Sequence, residues 1–147
     1  MGYFSAMDIG ASALTAQRLR MDTISQNIAN VNTTRTENGT PYRRRLVVFE
    51  EKNDGIPFSE YLTASSKERY TGKGVKVAKI LEDSSPFKKI YDPGNPDADA
   101  EGYVEMPNVD IITEMVNMIS ATRAYEANVT SINITKSMAL KALEIGR

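Results

Sequence analysis

Asp92, Asn95, Asp97, Asp99 and Glu101 are crowded into one short stretch, the densest set of groups in the chain that could do chemistry. Such a set could hold a hard cation or move protons in a hydrolysis. The spacing argues against both. A calcium loop of the EF-hand kind needs Asp-x-Asp-x-Asp-Gly with a closing Glu, and here Pro93 and Pro96 stiffen the chain in another pattern. A solvated Pro/Gly/Asp turn explains the composition. A hydrolase working through Asp92 with Asp97 or Asp99 is a remote alternative.

Other candidates are weaker. Arg43, Arg44 and Arg45, with Arg35 upstream, could meet nucleic acid. Alternation along a strand turns Arg44 away from the other two, and Glu50 and Glu51 follow. A solvated strand edge that discourages stray pairing is the simpler account, and no aromatic platform supports RNA or DNA binding. Gly72-Lys73-Gly74 lacks the rest of a phosphate-binding loop. The Asn-x-Ser/Thr triplets at Asn32, Asn38, Asn128 and Asn133 read as chance in an Asn/Thr-rich chain. Tyr3, Tyr103 and Tyr125 have no evident general base.

The chain has neither Cys nor His. That removes thiol nucleophiles, His relays and imidazole or thiolate metal sites. The sequence therefore predicts no enzyme, no cofactor and no metal. A net charge of −1 exerts no general pull on nucleic acid or anionic lipid, and no apolar run approaches a membrane span. The start, Met1 to Arg20, lacks a basic head and a continuous apolar stretch, so a secretory leader is not expected. Ala6 stands where a myristoylation signal needs Ser or Thr.

What positions these groups is a pair of long terminal helices. Ile111, Met115, Met118, Thr122, Tyr125, Val129, Ile132, Lys136, Ala139 and Leu143 alternate at four and three residues, which is a heptad seam. Asn108 can cap its start, Asp110 favours the first turn, and Gly146 suits its end. Such a helix is roughly 55 Å long. Near the N-terminus Met7, Leu14, Met21 and Ile28 recur every seven residues, with Ile24 and Val31 interleaved and Gly10 and Gln17 as lapses. Ser5 and Asp8 resemble a capping box, and the turn-prone Asn30–Thr34 ends this second helix. The methionines fall mainly on these seams, where packing explains them.

Two unpartnered seams in one chain are most simply buried on each other. Both helices are poor in charge and rich in Asn, Ser and Thr on their other positions. Small neutral polar residues suit a helix touched from several sides. The middle is β-rich. Tyr42–Glu51, Gly74–Asp83 and Pro86–Tyr91 predict three strands, Asp54–Pro57 a break, 58–74 a loop with at most a short helical turn, and Asp92–Gly102 a loop back to the C-terminal helix.

Several stretches carry a resemblance. Ser25-Gln26-Asn27-Ile28-Ala29-Asn30-Val31-Asn32-Thr33 resembles the Asn-rich motif near the start of bacterial flagellar rod and hook proteins. Thr34–Thr36, Pro41-Tyr42-Arg43-Arg44, Val47–Phe49, Gly102–Val104, Met106-Pro107-Asn108-Val109-Asp110, Ala124-Tyr125-Glu126-Ala127-Asn128 and Lys136–Leu143 are similar to a proximal-rod member of that family. The stretch Asp54–Lys73 matches nothing in it. The resemblance implies a structural rod subunit, exported through the flagellar type III apparatus to the periplasm. It implies terminal helices that pair and line a hollow, torque-transmitting tube. Implied partners are further copies, rod subunits of the FlgB, FlgF and FlgG types, and FliE, the adaptor to the MS ring.

The expectation is an α+β fold: long N- and C-terminal helices paired as an antiparallel coiled coil, with a small β-rich module inserted. Residues 1–32 and 107–147 are the helices and 33–106 the linker and module. The alternative from another class is a non-flagellar helical adaptor.

Overall fold

The computed structural model describes residues 3–52 and 73–145. The expected break at Asp54–Pro57, nearly all of the loop over 58–74, Gly72 and the stop at Gly146 lie outside them. Two long helices, α1 (Tyr3–Ala29) and α2 (Ile111–Ile145), bracket strands β1 (Arg45–Glu51), β2 (Val75–Glu82), β3 (Lys88–Tyr91) and β4 (Tyr103–Met106). The class is α+β, with a small antiparallel β module between the helices.

The helices pack antiparallel. Ile132 lies against Gly10, Thr122 Oγ1 is 3.7 Å from Met21 Sδ, and Asn27 meets Glu114. Each step toward the end of α1 is thus a step back along α2. The two lapses in the N-terminal pattern turn inward. Gly10 is buried, and a side chain there would stand 2.8 Å from Ile132 Cγ1. Gln17 is half-buried, with its Oε1 covered and unpartnered among the described residues.

Helix ends follow local chemistry, with two corrections. Asp110, not Asn108, caps α2: its Oδ2 accepts from Thr113 N at 3.2 Å and its carbonyl accepts from Glu114 N. Hydrogen bonds from Thr113, its hydroxyl first, hold the Asp110 carboxyl below the usual range. At the other terminus α1 already runs from Tyr3, so Ser5 lies inside the helix rather than at its cap. Asn30 closes α1, its Nδ2 donating to Gln26 O and its Oδ1 accepting from Thr33 Oγ1.

Four strands form where three were expected. They make two separate two-stranded sheets, β1–β2 and β3–β4. The extra strand, Tyr103–Met106, follows the acidic loop and pairs from Lys88↔Met106 to Tyr91↔Tyr103. In the first sheet Arg45 faces Glu82 and Glu51 faces Val75, with a bulge between Val48 and Phe49. One tight point of its docking on α1 lies at Ser12. Val75 N donates to Ser12 Oγ at 3.1 Å, and Gly74, at φ 104°, is where any side chain would strike Ser12.

Among the described residues the buried apolar side chains include Ala16, Ile24, Tyr42, Val104, Pro107, Val109 and Ala121. Thr23, Asn27 and Glu114 are buried with them. A core this small, with this much polarity, lies where the helix pair meets the β module.

Candidate assembly surface and the polar joint beneath it

Asn27 is 0% and Glu114 1% exposed, yet both are polar. Burial of such groups is costly unless every hydrogen bond is made. Asn27 makes all four. Its Nδ2 donates to Arg45 O and to Glu114 Oε2, both at 2.9 Å. Its Oδ1 accepts from Arg45 N at 2.9 Å and from the Tyr42 hydroxyl at 3.0 Å. The other Glu114 oxygen accepts from Arg44 Nη2 at 2.6 Å and Nε at 2.9 Å, and from Asn117 Nδ2 at 3.3 Å.

The network continues into the β module. Arg44 Nη1 is 3.6 Å from Asp83 Oδ2. Asn108 Oδ1 accepts from Arg44 N at 2.9 Å, while its Nδ2 donates to Asp83 O at 3.1 Å. Arg43 donates to the same carbonyl and lays its guanidinium 4.3 Å from the centre of the Phe87 ring. So α1, the approach to β1, the end of β2 and the start of α2 meet in one polar joint. Burial pushes the Tyr42 hydroxyl above its usual range, opposed in part by the nearby Arg45 charge. Hydrogen bonds from Ser85, its hydroxyl first, hold the Asp83 carboxyl below the usual range, and Arg44 adds to this.

The arginine run is therefore not a simple solvated edge. Arg44 points inward to a buried carboxylate, as alternation within the run allows. Arg45 carries an exposed cross-strand pair with Glu82 at 3.7 Å.

The acidic loop spends its oxygens on its own turns. Asp92 Oδ1 accepts from Gly94 N, Asn95 Oδ1 from Asp97 N, and Asp99 Oδ1 from Glu101 N and Tyr103 N. Asp97 also accepts from Thr34 Oγ1 at 2.8 Å, with Arg35 3.8 Å away, tying the loop to the turn after α1. Among the described residues no group of carboxylates is arranged to hold a metal ion.

Two stretches of the outer surface of α2 are apolar. Ile112, Met115, Val116 and Ile119 form one exposed row near its start. Ile134, Met138 and Ile145 line a shallow groove near its end. Among the described residues no helix is long and apolar enough to cross a membrane. These rows are apolar without being a bilayer span.

The sequence-predicted seam residues divide. Met7, Leu14, Met21, Ile28, Val31, Met118, Tyr125, Val129, Ile132 and Ala139 are half-buried, and Ile24 is buried. Ile111, Met115 and Leu143 are exposed, which corrects their placement between the two helices. The inward row of α2 passes through Glu114 and Ala121, one position earlier than Met115 and Thr122. Hydrophobicity alone could not find it, because Glu114 is charged and Ala121 small. Of the motif residues, Asn27, Tyr42, Arg43, Arg44 and Asn108 meet in the joint. Ile28, Ala29, Asn30, Asn32 and Thr33 form the end of α1 and its turn, and Pro107 and Asp110 the approach to α2. Tyr125, Glu126 and Asn128 lie in mid-α2, where Asn128 Nδ2 donates to Ala124 O at 2.7 Å.

Comparison with known proteins matches both terminal regions. Residues 7–35 match a family described as flagella basal body rod protein, and residues 100–145 match the flagellar basal body rod FlgEFG protein C-terminal family. The chain is 53% identical to the flagellar basal-body rod protein FlgC of Bacillus subtilis, with all of both chains covered. The chain belongs to the FlgC family. It is 49% identical to FlgC of Borreliella burgdorferi, over 99% of this chain and 98% of that one. It is 44% identical to FlgC of Salmonella typhimurium over the full length of both. As a FlgC-family chain it is a structural subunit of the flagellar basal-body rod. It assembles there with other basal-body components.

Proposed function

We propose that this FlgC-family chain builds the rod laterally, through faces of its terminal helices that its own fold leaves uncovered. The observation that supports this is the apolar row Ile112, Met115, Val116 and Ile119 on α2, exposed beside the joint. Apolar rows of this kind are stabilised by removal from water, and neighbouring subunits supply the cover. The role is mechanical: residues 1–32 and 107–147 make the wall of a hollow tube that carries torque and conducts exported chains. Residues 33–106 form the outer module that meets the next layer or the surrounding ring. The partners are further copies, rod subunits of the FlgB, FlgF and FlgG types, and FliE. The chain reaches the periplasm through the flagellar type III apparatus.

The test is cryo-electron microscopy of isolated basal bodies, combined with Ile112→Ser/Ile119→Ser. The wild-type chain is expected in the rod below the hook with this row covered. The variant is expected to keep the helical circular dichroism of the monomer and lose incorporation and motility. Normal incorporation of the variant would overturn the lateral-packing reading.

A further inference from the structure

The heptad repeat of the seam admits a displaced register, in which the Gly10–Ile132 fit is lost but most facing residues stay small or apolar. Consider α2 displaced by one heptad, about 10 Å at the helical rise, so that residue 121 rather than 114 faces Asn27. Met21 would then meet Val129 in place of Thr122, and Gly10 would meet Ala139 in place of Ile132. Small or apolar residues replace small or apolar ones, and a 7-residue pattern repeats onto itself.

The polar contacts do not repeat. The displaced helix brings Ala121 to Asn27, so Asn27 Nδ2 and the Arg44 guanidinium both lose their carboxylate. Asn108, at the start of α2, leaves Arg44 N and Asp83 O. These donors and acceptors are buried or half-buried, so the displaced state leaves them unsatisfied. We propose that Asn27, Arg44, Asn108 and Glu114 are a register lock. They are positioning residues that select one alignment of α1 on α2 and thereby set where the β module sits on the helix pair. A buried polar residue in an otherwise apolar seam does this work in helix pairs generally, because it excludes alternatives more than it adds stability. The proposal concerns the chain's own fold and stands apart from which neighbours it meets in the rod.

The chain has no cysteine, so cross-linking in the full-length protein reads register directly. The native alignment is reported by Met21→Cys/Thr122→Cys and the displaced one by Met21→Cys/Val129→Cys, each oxidised and mapped by mass spectrometry. The two pairs are placed in the wild-type chain and in Asn27→Leu/Glu114→Leu. In the wild type the 21–122 product dominates. In the double variant the ratio of 21–129 to 21–122 product rises about ten-fold or more, as loss of a charged hydrogen bond between two states implies. Ile132→Ala weakens the same interface at its contact with Gly10, away from the lock, and leaves the ratio unchanged. An unchanged ratio in the double variant, or an equal rise in Ile132→Ala, would overturn the proposal. Should the double variant lose its helical signal, Glu114→Gln decides. It keeps the shape of the side chain but drops the charge that holds Arg44. A raised ratio there supports the lock and an unchanged one overturns it.

Discussion

At one end of the helix pair Asn27 and Glu114 are sealed from water and bonded to each other and to the segment Tyr42–Arg45. At the other end Leu143 and Ile145 are 73% and 85% exposed. The two ends differ in what completes them. The joint satisfies charged and amide groups within the chain, so it is finished in the monomer. The far end carries apolar side chains on a helix of 35 residues beside one of 27, and its last turns have little of α1 to lie on. Polar burial demands exact partners, which one chain can encode. Apolar rows accept any complementary face, which suits contacts repeated between copies.

Mutations should separate the ends. The largest effect is expected from Arg44→Ala, which leaves Glu114 charged and buried. A loss of about 3–5 kcal/mol in urea unfolding is expected. A loss below about 1 kcal/mol would mean that the joint is no more closed than the far end. Asn27→Ala strips partners from Arg45, Tyr42 and Glu114 and should cost about 1–3 kcal/mol by the same measurement. Met118 and Met115 sharpen the contrast within one turn of α2. Met118→Lys, half-buried against α1, should cost about 2 kcal/mol. Met115→Lys, on the exposed row, should stay within about 0.5 kcal/mol in the monomer while reducing rod incorporation. At the far end Leu143→Ser should leave the urea midpoint unchanged and lower motility in soft agar.

A pH series gives the smallest effect and addresses the joint alone. The Tyr42 hydroxyl is raised by burial. Its contribution is fully present below the unfolded value near 10.0 and is lost as pH rises through the higher folded value. Tyr42→Phe should flatten that alkaline decline in the urea midpoint. Asp83 is lowered, so its contribution is present above the ordinary value of 3.8 and is lost as pH falls through the lower folded value. Asp83→Asn should flatten the acid limb.

The two helices and the β character of the middle were legible because both rest on periodicity. Met7 to Ile28 and Met118 to Ala139 repeat as a helix must, and the alternation of Val75 and Val77 with Lys76 and Lys79 marks β2. Strand β4 was not legible. Four residues, Tyr103–Met106, are too few to show a period, and they are a strand because Lys88–Tyr91 lies beside them. The joint was legible in halves. Alternation set Arg44 apart from Arg43 and Arg45, and the Asn-rich motif singled out Asn27. Glu114 went unnoticed, since a pattern counted in apolar residues passes over a buried carboxylate. Its partner, Arg44, lies 70 residues away in sequence, a pairing that only the folded chain discloses. Gly10 and Gln17 were read as lapses for the same reason. Their positions face α2, and one of them is empty of side chain because Ile132 needs the room.

That vacancy has a mechanical consequence. Where side chain meets side chain across the pair, as at Met21 and Thr122, both can turn about their bonds. At Gly10 the Ile132 side chain rests directly on the backbone of α1, so shear there must carry Ile132 past backbone rather than past another side chain. The joint lies at one end of α1 and this contact lies toward the other. Between them they hold α1 at two points, as a beam on two supports, while the last turns of α2, with Leu143 and Ile145 exposed, lie beyond both.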